Sequence, residues 1–397
     1  MRTVKTILVI GLPFLWLATA FAKDAIEVDA KVNGHPVRLE FDTGASHLFL
    51  NRQAADRLGL KPRPEWISVW SRPRAECLVT FMGSSWHEPL GIFDLPVSLK
   101  PESDGVLGWP SVSGRRFMID ALHNRLAFGE DVPEPGADWT QLPLWTHVPR
   151  WWGMSFAKWK VMALKVRYAE GKDGFVIFDT GSESGIGLSP SNWRAWKTSH
   201  TNQPLTLTSG WNPHMQMVIR EQSWTPNFSL GGLRLNDVVV EEADSLSVRW
   251  AGKRHIATLG MAAIKRLDVV VDGLNDVAYL RPKQTPATPY DHNRLGAVFL
   301  PRNLRSEKLI ARVMSNSPAA KAGIRDGDVL LQVDKYAFTN WRTNDTGLFA
   351  FWQWPTGTKL NLLLARGGET FETTVVLRDM LAPQTKPSPV PREHAAL

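Results

Sequence analysis

Phe41-Asp42-Thr43-Gly44 stands near the start of the chain and returns as Phe178-Asp179-Thr180-Gly181. Each copy follows a run of alternating apolar residues, Ile26 to Phe41 and Val161 to Phe178, the two-residue period of half-buried strands. Each precedes a short helix candidate, Arg52 to Leu58 and Ser191 to Trp196. The likeness continues downstream. Val106-Leu107-Gly108 pairs with Thr258-Leu259-Gly260, and Gly108–Asp120 aligns with Gly260–Asp272 without a gap. Leu126-Ala127-Phe128 and Ala278-Tyr279-Leu280 then close the two copies. Ordered landmarks with matched flanks indicate a duplicated lobe rather than a chance tripeptide.

An isolated aspartate ionises near pH 4 and is a poor base. Two carboxyls held together cannot both ionise cheaply, so they share a proton and their pKa values separate. One partner can then draw a proton from water while the other donates one to a carbonyl. Gly44 and Gly181 permit close backbone approach. The Thr43 and Thr180 hydroxyls can bond across to the opposite loop. A hydroxyl on Ser182, where lobe 1 has Ala45, should favour the ionised form of Asp179. This places the shared proton on Asp42, and Ser182→Ala should then raise the lower pKa of the pair.

These residues resemble the pepsin and retropepsin superfamily of aspartic proteases, over roughly residues 24–281. Asp42-Thr43-Gly44-Ala45-Ser46 with Val106-Leu107-Gly108, and Asp179-Thr180-Gly181-Ser182 with Leu259-Gly260, carry the resemblance. It implies a mostly β fold with two retropepsin-like β-barrel lobes packed as a pseudo-dimer. It also implies a catalytic pair, Asp42 and Asp179, supported by Thr43, Gly44, Ser46, Thr180, Gly181 and Ser182. Glu183 and Thr258 depart from the family's pattern. A hairpin covering the cleft is expected at Cys77 to Trp86 in lobe 1 and near Ser209-Gly210-Trp211 in lobe 2.

A different pattern follows. Leu309 to Val313 reads as a strand. Ser317-Pro318-Ala319-Ala320-Lys321-Ala322-Gly323-Ile324 reads as a turn, a short Ala-rich helix starting after Pro318 and a Gly stop. Arg325-Asp326-Gly327-Asp328 leads to a further strand. This stretch resembles a bacterial PDZ domain, a small α+β module that binds peptide ends by strand addition. The resemblance places its carboxylate-binding loop at Leu295, Gly296, Ala297 and Val298, facing a helix near Asn344 to Trp352. The apolar C-terminus, Ala395-Ala396-Leu397, is a candidate ligand for that groove.

Residues 1–22 read as a secretory signal, with Arg2 and Lys5 before an apolar run and a cleavage site at Ala20-Phe21-Ala22. An uncleaved anchor is the alternative. Lobe 1 then spans 23–135, lobe 2 136–282, a linker 283–292, the PDZ domain 293–382 and a Pro-rich tail 383–397.

The 397 residues carry 46 Lys and Arg against 39 Asp and Glu, a net charge of +7. That balance excludes a disordered chain, and without a basic block it argues against nucleic-acid binding. One cysteine, Cys77, excludes an intrachain disulfide framework. The ten histidines form no ligand spacing, so neither metal nor cofactor is expected. The reading is an exported monomeric aspartic endopeptidase of a bacterial periplasm or envelope, with secretion as the alternative. Its partners would be protein or peptide substrates and PDZ-bound peptide termini, with membrane contact only through an uncleaved signal. The competing class is an inactive peptide-binding adaptor.

Overall fold

In β2 (His35–Asp42) Val37, Leu39 and Phe41 turn into a core while Arg38 faces outward, the alternation expected of a strand with one buried face. Such strands build lobe 1. β1 (Glu27–Val32), β2, β3 (Phe49–Asn51), β4 (Arg74–Phe81), β5 (Ser84–Phe93) and β6 (Gly105–Gly108) close into a barrel in the order β1-β2-β6-β3-β5-β4. Between β3 and β4 lies the helix Arg52–Arg57, whose first turn is capped by the Asn51 side chain accepting from Ala54 N–H at 2.7 Å. The computed structural model describes residues 25–61, 74–93, 103–145, 161–167, 171–211, 217–243, 254–283, 291–303, 306–339, 341 and 351–382. The signal segment, most of the linker and the whole tail with its C-terminal Ala-Ala-Leu lie outside them.

The first strand pair below the barrel is β7 (Arg116–Asp120) with β8 (Arg125–Phe128), followed by β9 (Thr140–Pro143). Lobe 2 then repeats lobe 1. Its strands are β10 (Ala163–Arg167), β11 (Asp173–Phe178), β12 (Ile186–Leu188), β13 (Leu205–Trp211), β14 (Met217–Leu230), β15 (Leu233–Glu242) and β16 (His255–Leu259). Their order is β10-β11-β16-β12-β15-β14-β13. The first six positions match lobe 1 strand for strand, including the parallel pairings β2 with β6 and β11 with β16. The difference is at the end. In lobe 1 β4 returns to β1, whereas in lobe 2 β13 is added beyond β14 and the sheet is open among the described residues.

β17 (Leu267–Asp272) and β18 (Val277–Pro282) join β7, β8 and β9 in a five-stranded sheet, order β8-β7-β17-β18-β9, that belongs to both lobes. One apolar core runs through both lobes and this sheet, with Phe117 of β7 packed edge-on against Phe41 at 5.9 Å. Asp120 and Asp272 hold turns. Asp120 binds Arg125 and His123 at 2.9 and 2.8 Å, and Asp272 accepts from the N–H groups of Leu274 and Asn275.

The C-terminal domain has a separate core. Its sheet runs β19 (Ala297–Pro301), β20 (Leu309–Val313), β21 (Val329–Val333), β23 (Lys359–Arg366), β24 (Glu369–Val376), with the two-residue β22 (Tyr336–Ala337) paired to β21. The helix Pro318–Lys321 is capped by the Ser317 hydroxyl, which accepts from Ala320 N–H at 3.1 Å. Edge strand β19 packs beside β13 and β14 of lobe 2. The Thr206 hydroxyl on β13 donates to the Asn293 carbonyl at 2.7 Å, fastening the two domains.

Candidate active site

β2 ends on Asp42 and Asp179 directly follows β11, and each carboxyl is turned back onto the loop that follows. Gly44 N–H and Ala45 N–H donate to Asp42 Oδ1 at 2.7 and 3.1 Å. Gly181 N–H donates to Asp179 Oδ1 at 3.1 Å. The two carboxyls hydrogen-bond each other and are 4 % and 2 % exposed. The glycines make this approach possible. A Cβ on Gly44 would lie 2.5 Å from Asp179 Oδ1, and one on Gly181 would lie 2.5 Å from Asp42 Cγ.

The threonines lock the loops together in a two-fold arrangement. Thr43 N–H donates to Thr180 Oγ1 at 3.0 Å, and Thr180 N–H donates to Thr43 Oγ1 at 3.0 Å. In turn the Thr43 hydroxyl donates to the Phe178 carbonyl at 2.5 Å and the Thr180 hydroxyl to the Phe41 carbonyl at 2.7 Å. Every one of these groups is buried, so losing either hydroxyl strands a donor and an acceptor, at ~1–3 kcal/mol for each group.

The electrostatics of the pair are not two-fold. Burial raises both carboxyls. Asp42 reaches about 6, held down by its bond to Asp179 and by the amides of Gly44, Ala45 and Gly181. Asp179 is pushed well above the carboxylate range by burial and by the charge on Asp42, with one amide opposing. With two loop amides on Asp42 and one on Asp179, the surroundings favour the charge on Asp42 and the shared proton on Asp179, opposite to the expectation drawn from Ser182. The Ser182 hydroxyl, on which that expectation depended, pairs with the Ser184 hydroxyl at 2.8 Å. The backbone amides around each carboxyl, rather than neighbouring hydroxyls, set this direction. Ser46, the remaining supporting residue, is buried and bonds His47 Nδ1 at 2.8 Å.

The two expected covers fall differently. In lobe 1 the β4–β5 hairpin does not stand over the aspartates. Its β4 arm pairs with the far end of β1, Val79 opposite Val32, and Leu78 exchanges bonds with Asn33. Phe81 packs on Phe128 of the five-stranded sheet, and Arg115 lies over the rings of Phe81 and Trp86. The hairpin tip is thus fastened to the underlying sheet. In lobe 2 Ser209-Gly210-Trp211 ends β13, the arm of a long hairpin with β14.

The PDZ loop residues Leu295, Gly296, Ala297 and Val298 are all buried. Gly296 has φ +67°, and a Cβ there would meet Ser317 Cβ at 2.3 Å, so only glycine fits. Leu295 and Gly296 N–H, two of the donors expected for a peptide carboxylate, already donate to Asn293 Oδ1 at 3.0 and 2.9 Å. Ala297 and Val298 pair with Val313 and Arg312 of β20. Asn293, three residues before a loop glycine, was the signal for this internal cap. Most of the helix expected at Asn344 to Trp352 lies outside the described residues.

Among the described residues no group of three His, Cys, Asp or Glu is placed to hold a metal ion, and no helix is long and apolar enough to cross a membrane.

Comparison with known families agrees with this architecture. Residues 28–110 match the family profile described as aspartyl protease, and residues 309–348 match the PDZ domain profile. The chain thus contains a retropepsin-like aspartyl protease domain followed by a C-terminal PDZ domain. The protease profile covers lobe 1 alone, and lobe 2 is recognised by its matching strand order. No curated protein matches the chain.

Proposed function

We propose that the chain is an exported aspartic endopeptidase in which Asp42 and Asp179 activate one water between them. The observation that carries this reading is the carboxyl pair itself: hydrogen-bonded to each other, buried, and unequally bonded by the amides of the two loops. In the reaction Asp42 takes a proton from the water as its oxygen attacks the scissile carbonyl carbon, and Asp179 donates its proton to the carbonyl oxygen. A neutral tetrahedral diol results. Transfer of the proton from Asp42 to the amide nitrogen breaks the C–N bond while Asp179 takes back a proton from one diol hydroxyl, so that an amine and a carboxylic acid leave and the pair returns to its starting form. The threonine lock and the loop glycines hold the two carboxyls at the required separation.

Peptide recruitment or gating falls to the PDZ domain, whose edge strand is braced against the β13–β14 hairpin of lobe 2. Export, to a bacterial periplasm or envelope, is supported by the signal pattern of residues 1–22.

The test is cleavage of an unfolded protein and a peptide library by the chain beginning at Lys23, from pH 4 to 8, beside Asp42→Asn. Cleavage that falls to background in the variant supports the reading. Absence of cleavage by both favours the adaptor class, and equal cleavage by both rejects the mechanism.

A further inference from the structure

Arg38, Glu40 and Asp42 alternate with the core residues of β2, so Glu40 stands on the same face of the strand as Asp42, one pleat behind it at about 7 Å. Glu40 is 3 % exposed, and its Oε1 is fully buried with no hydrogen-bond partner. Arg38, the preceding residue on that face, has its guanidinium paired with Glu27 at 2.8 Å. Glu40 lies close enough to Asp42, Asp179, Glu183 and Glu27 to feel the charge of each. Across the ladder it sits opposite Val106 of β6, which clusters with Ala45, Phe49 and Phe93 on the outer face of the barrel.

The internal two-fold shows that the fold does not require an acid here. Phe41 corresponds to Phe178, so Glu40 corresponds to Ile177. Ile177 is buried against Val161, Ala163 and Phe175, with Trp145 over them. Lobe 2 thus fills the position with hydrocarbon, while lobe 1 buries a carboxyl with an unmatched oxygen. A carboxyl buried in this way stays protonated until a cation is brought to it, and a cation from a bound molecule would give the charged form its partner.

We propose that Glu40 is a specificity-determining residue, accepting a lysine or arginine side chain of the substrate residue that flanks the scissile bond on the lobe 1 side. The apolar cluster around Val106 would pack the methylene stem of that side chain while Glu40 takes its charged head. Binding the cation would draw the proton off Glu40 and complete an ion pair that the folded chain leaves half-made. The matching place in lobe 2 offers no such acceptor, so the requirement for a cation falls on one side of the bond only.

The proposal rests on the peptidase reading, in that a peptide must lie across Asp42 and Asp179. Its test uses pairs of non-cleavable hydroxyethylene peptide isosteres that differ only in lysine against norleucine, placed in turn on either side of the isostere. Binding is measured to the chain from Lys23 and to its Glu40→Gln and Glu40→Leu variants. The expected result is that, in one of the two placements, the unaltered chain binds the lysine ligand at least about tenfold more tightly. Both variants should lose that preference while retaining the norleucine ligand, and Glu40→Gln, which keeps the shape of the side chain, covers the case in which Glu40→Leu fails to fold. Equal binding of both ligands by the unaltered chain, or a lysine preference that survives in the variants, overturns the assignment of Glu40 and leaves the peptidase reading standing. If the unaltered chain binds no isostere and cleaves no peptide in an Asp42-dependent way, the peptidase reading fails and this proposal with it.

Discussion

The two lobes share a backbone plan and differ in how they treat charge. Both end a buried strand on aspartate, both follow it with Thr-Gly, and each threonine reaches into the other lobe through the same pair of bonds. Yet two amides of its own loop hold the Asp42 carboxyl where one holds Asp179. Lobe 1 has Glu40 where lobe 2 has Ile177, and a closed barrel where lobe 2 has a sheet with an added edge strand. Geometry is conserved between the copies because each loop must fit the other. Electrostatics is free to diverge, and although proximity alone makes one carboxyl a base and the other an acid, the divergence biases which of them takes each role.

The symmetric part of this comparison should give the largest effects. Gly44→Ala and Gly181→Ala each drive a methyl group into the opposite carboxyl at 2.5 Å. Both should lower kcat/KM for peptide cleavage by at least ~100-fold, since displacement of reacting groups by about 1 Å costs that much. The two losses should be similar. A variant that keeps most of its activity would mean that the carboxyls in the working enzyme stand further apart than in this structure.

An asymmetric feature away from the pair should show in stability. His255 of lobe 2 is buried, with Nε2 against the Thr258 hydroxyl at 3.1 Å and its ring against Phe175. Burial lowers its pKa to about 4. The aligned residue in lobe 1 is Ser103. As pH falls below about 6.5 the unfolded chain takes up this proton before the folded one does. His255 therefore contributes its full stability above that pH and loses it as pH drops toward 4, by up to ~3 kcal/mol. Urea unfolding at pH 7 and pH 4.5 should show this loss in the unaltered chain and a smaller one in His255→Leu. Carboxylate titrations are common to both chains and cancel in the comparison. An equal pH response in the two would mean that His255 is protonated when folded.

How much of this was legible beforehand depends on the range of the interaction concerned. Asp-Thr-Gly could be read twice because its chemistry demands those residues and permits few others, and the short helices after Asn51 and Ser317 were legible because their signals are local. The β4–β5 hairpin was misjudged because its position depends on pairing with β1, more than forty residues away, and on Phe81 meeting Phe128. Nothing in Met82-Gly83-Ser84-Ser85 reveals which surface the turn will rest on. Glu40 was overlooked although the signal was present: β2 alternates, and a charged residue on the face of Asp42 invites the question of its partner. The Asn293 cap was missed for a related reason, since its side chain takes donors that a loop pattern alone leaves open.

The smallest effect is expected where the sequence pointed most directly. With its hydroxyl engaged by Ser184, Ser182 has little to offer the Asp179 carboxyl, which in any case carries the proton. The working form of the pair, one proton on two carboxyls, exists above the lower pKa, near 6, which belongs mainly to Asp42. Cleavage should therefore fall as pH drops through about 6, because protonating Asp42 removes the base. In Ser182→Ala this acid limb should stay in place, and a pH profile of kcat/KM on a single peptide reads it directly. Displacement of the limb to higher pH by about half a unit or more would show that the ionised carboxyl is the one beside Ser182. The charge would then lie on Asp179, the amides of Gly44 and Ala45 would be bonding a protonated Asp42, and the roles assigned to the two lobes would exchange.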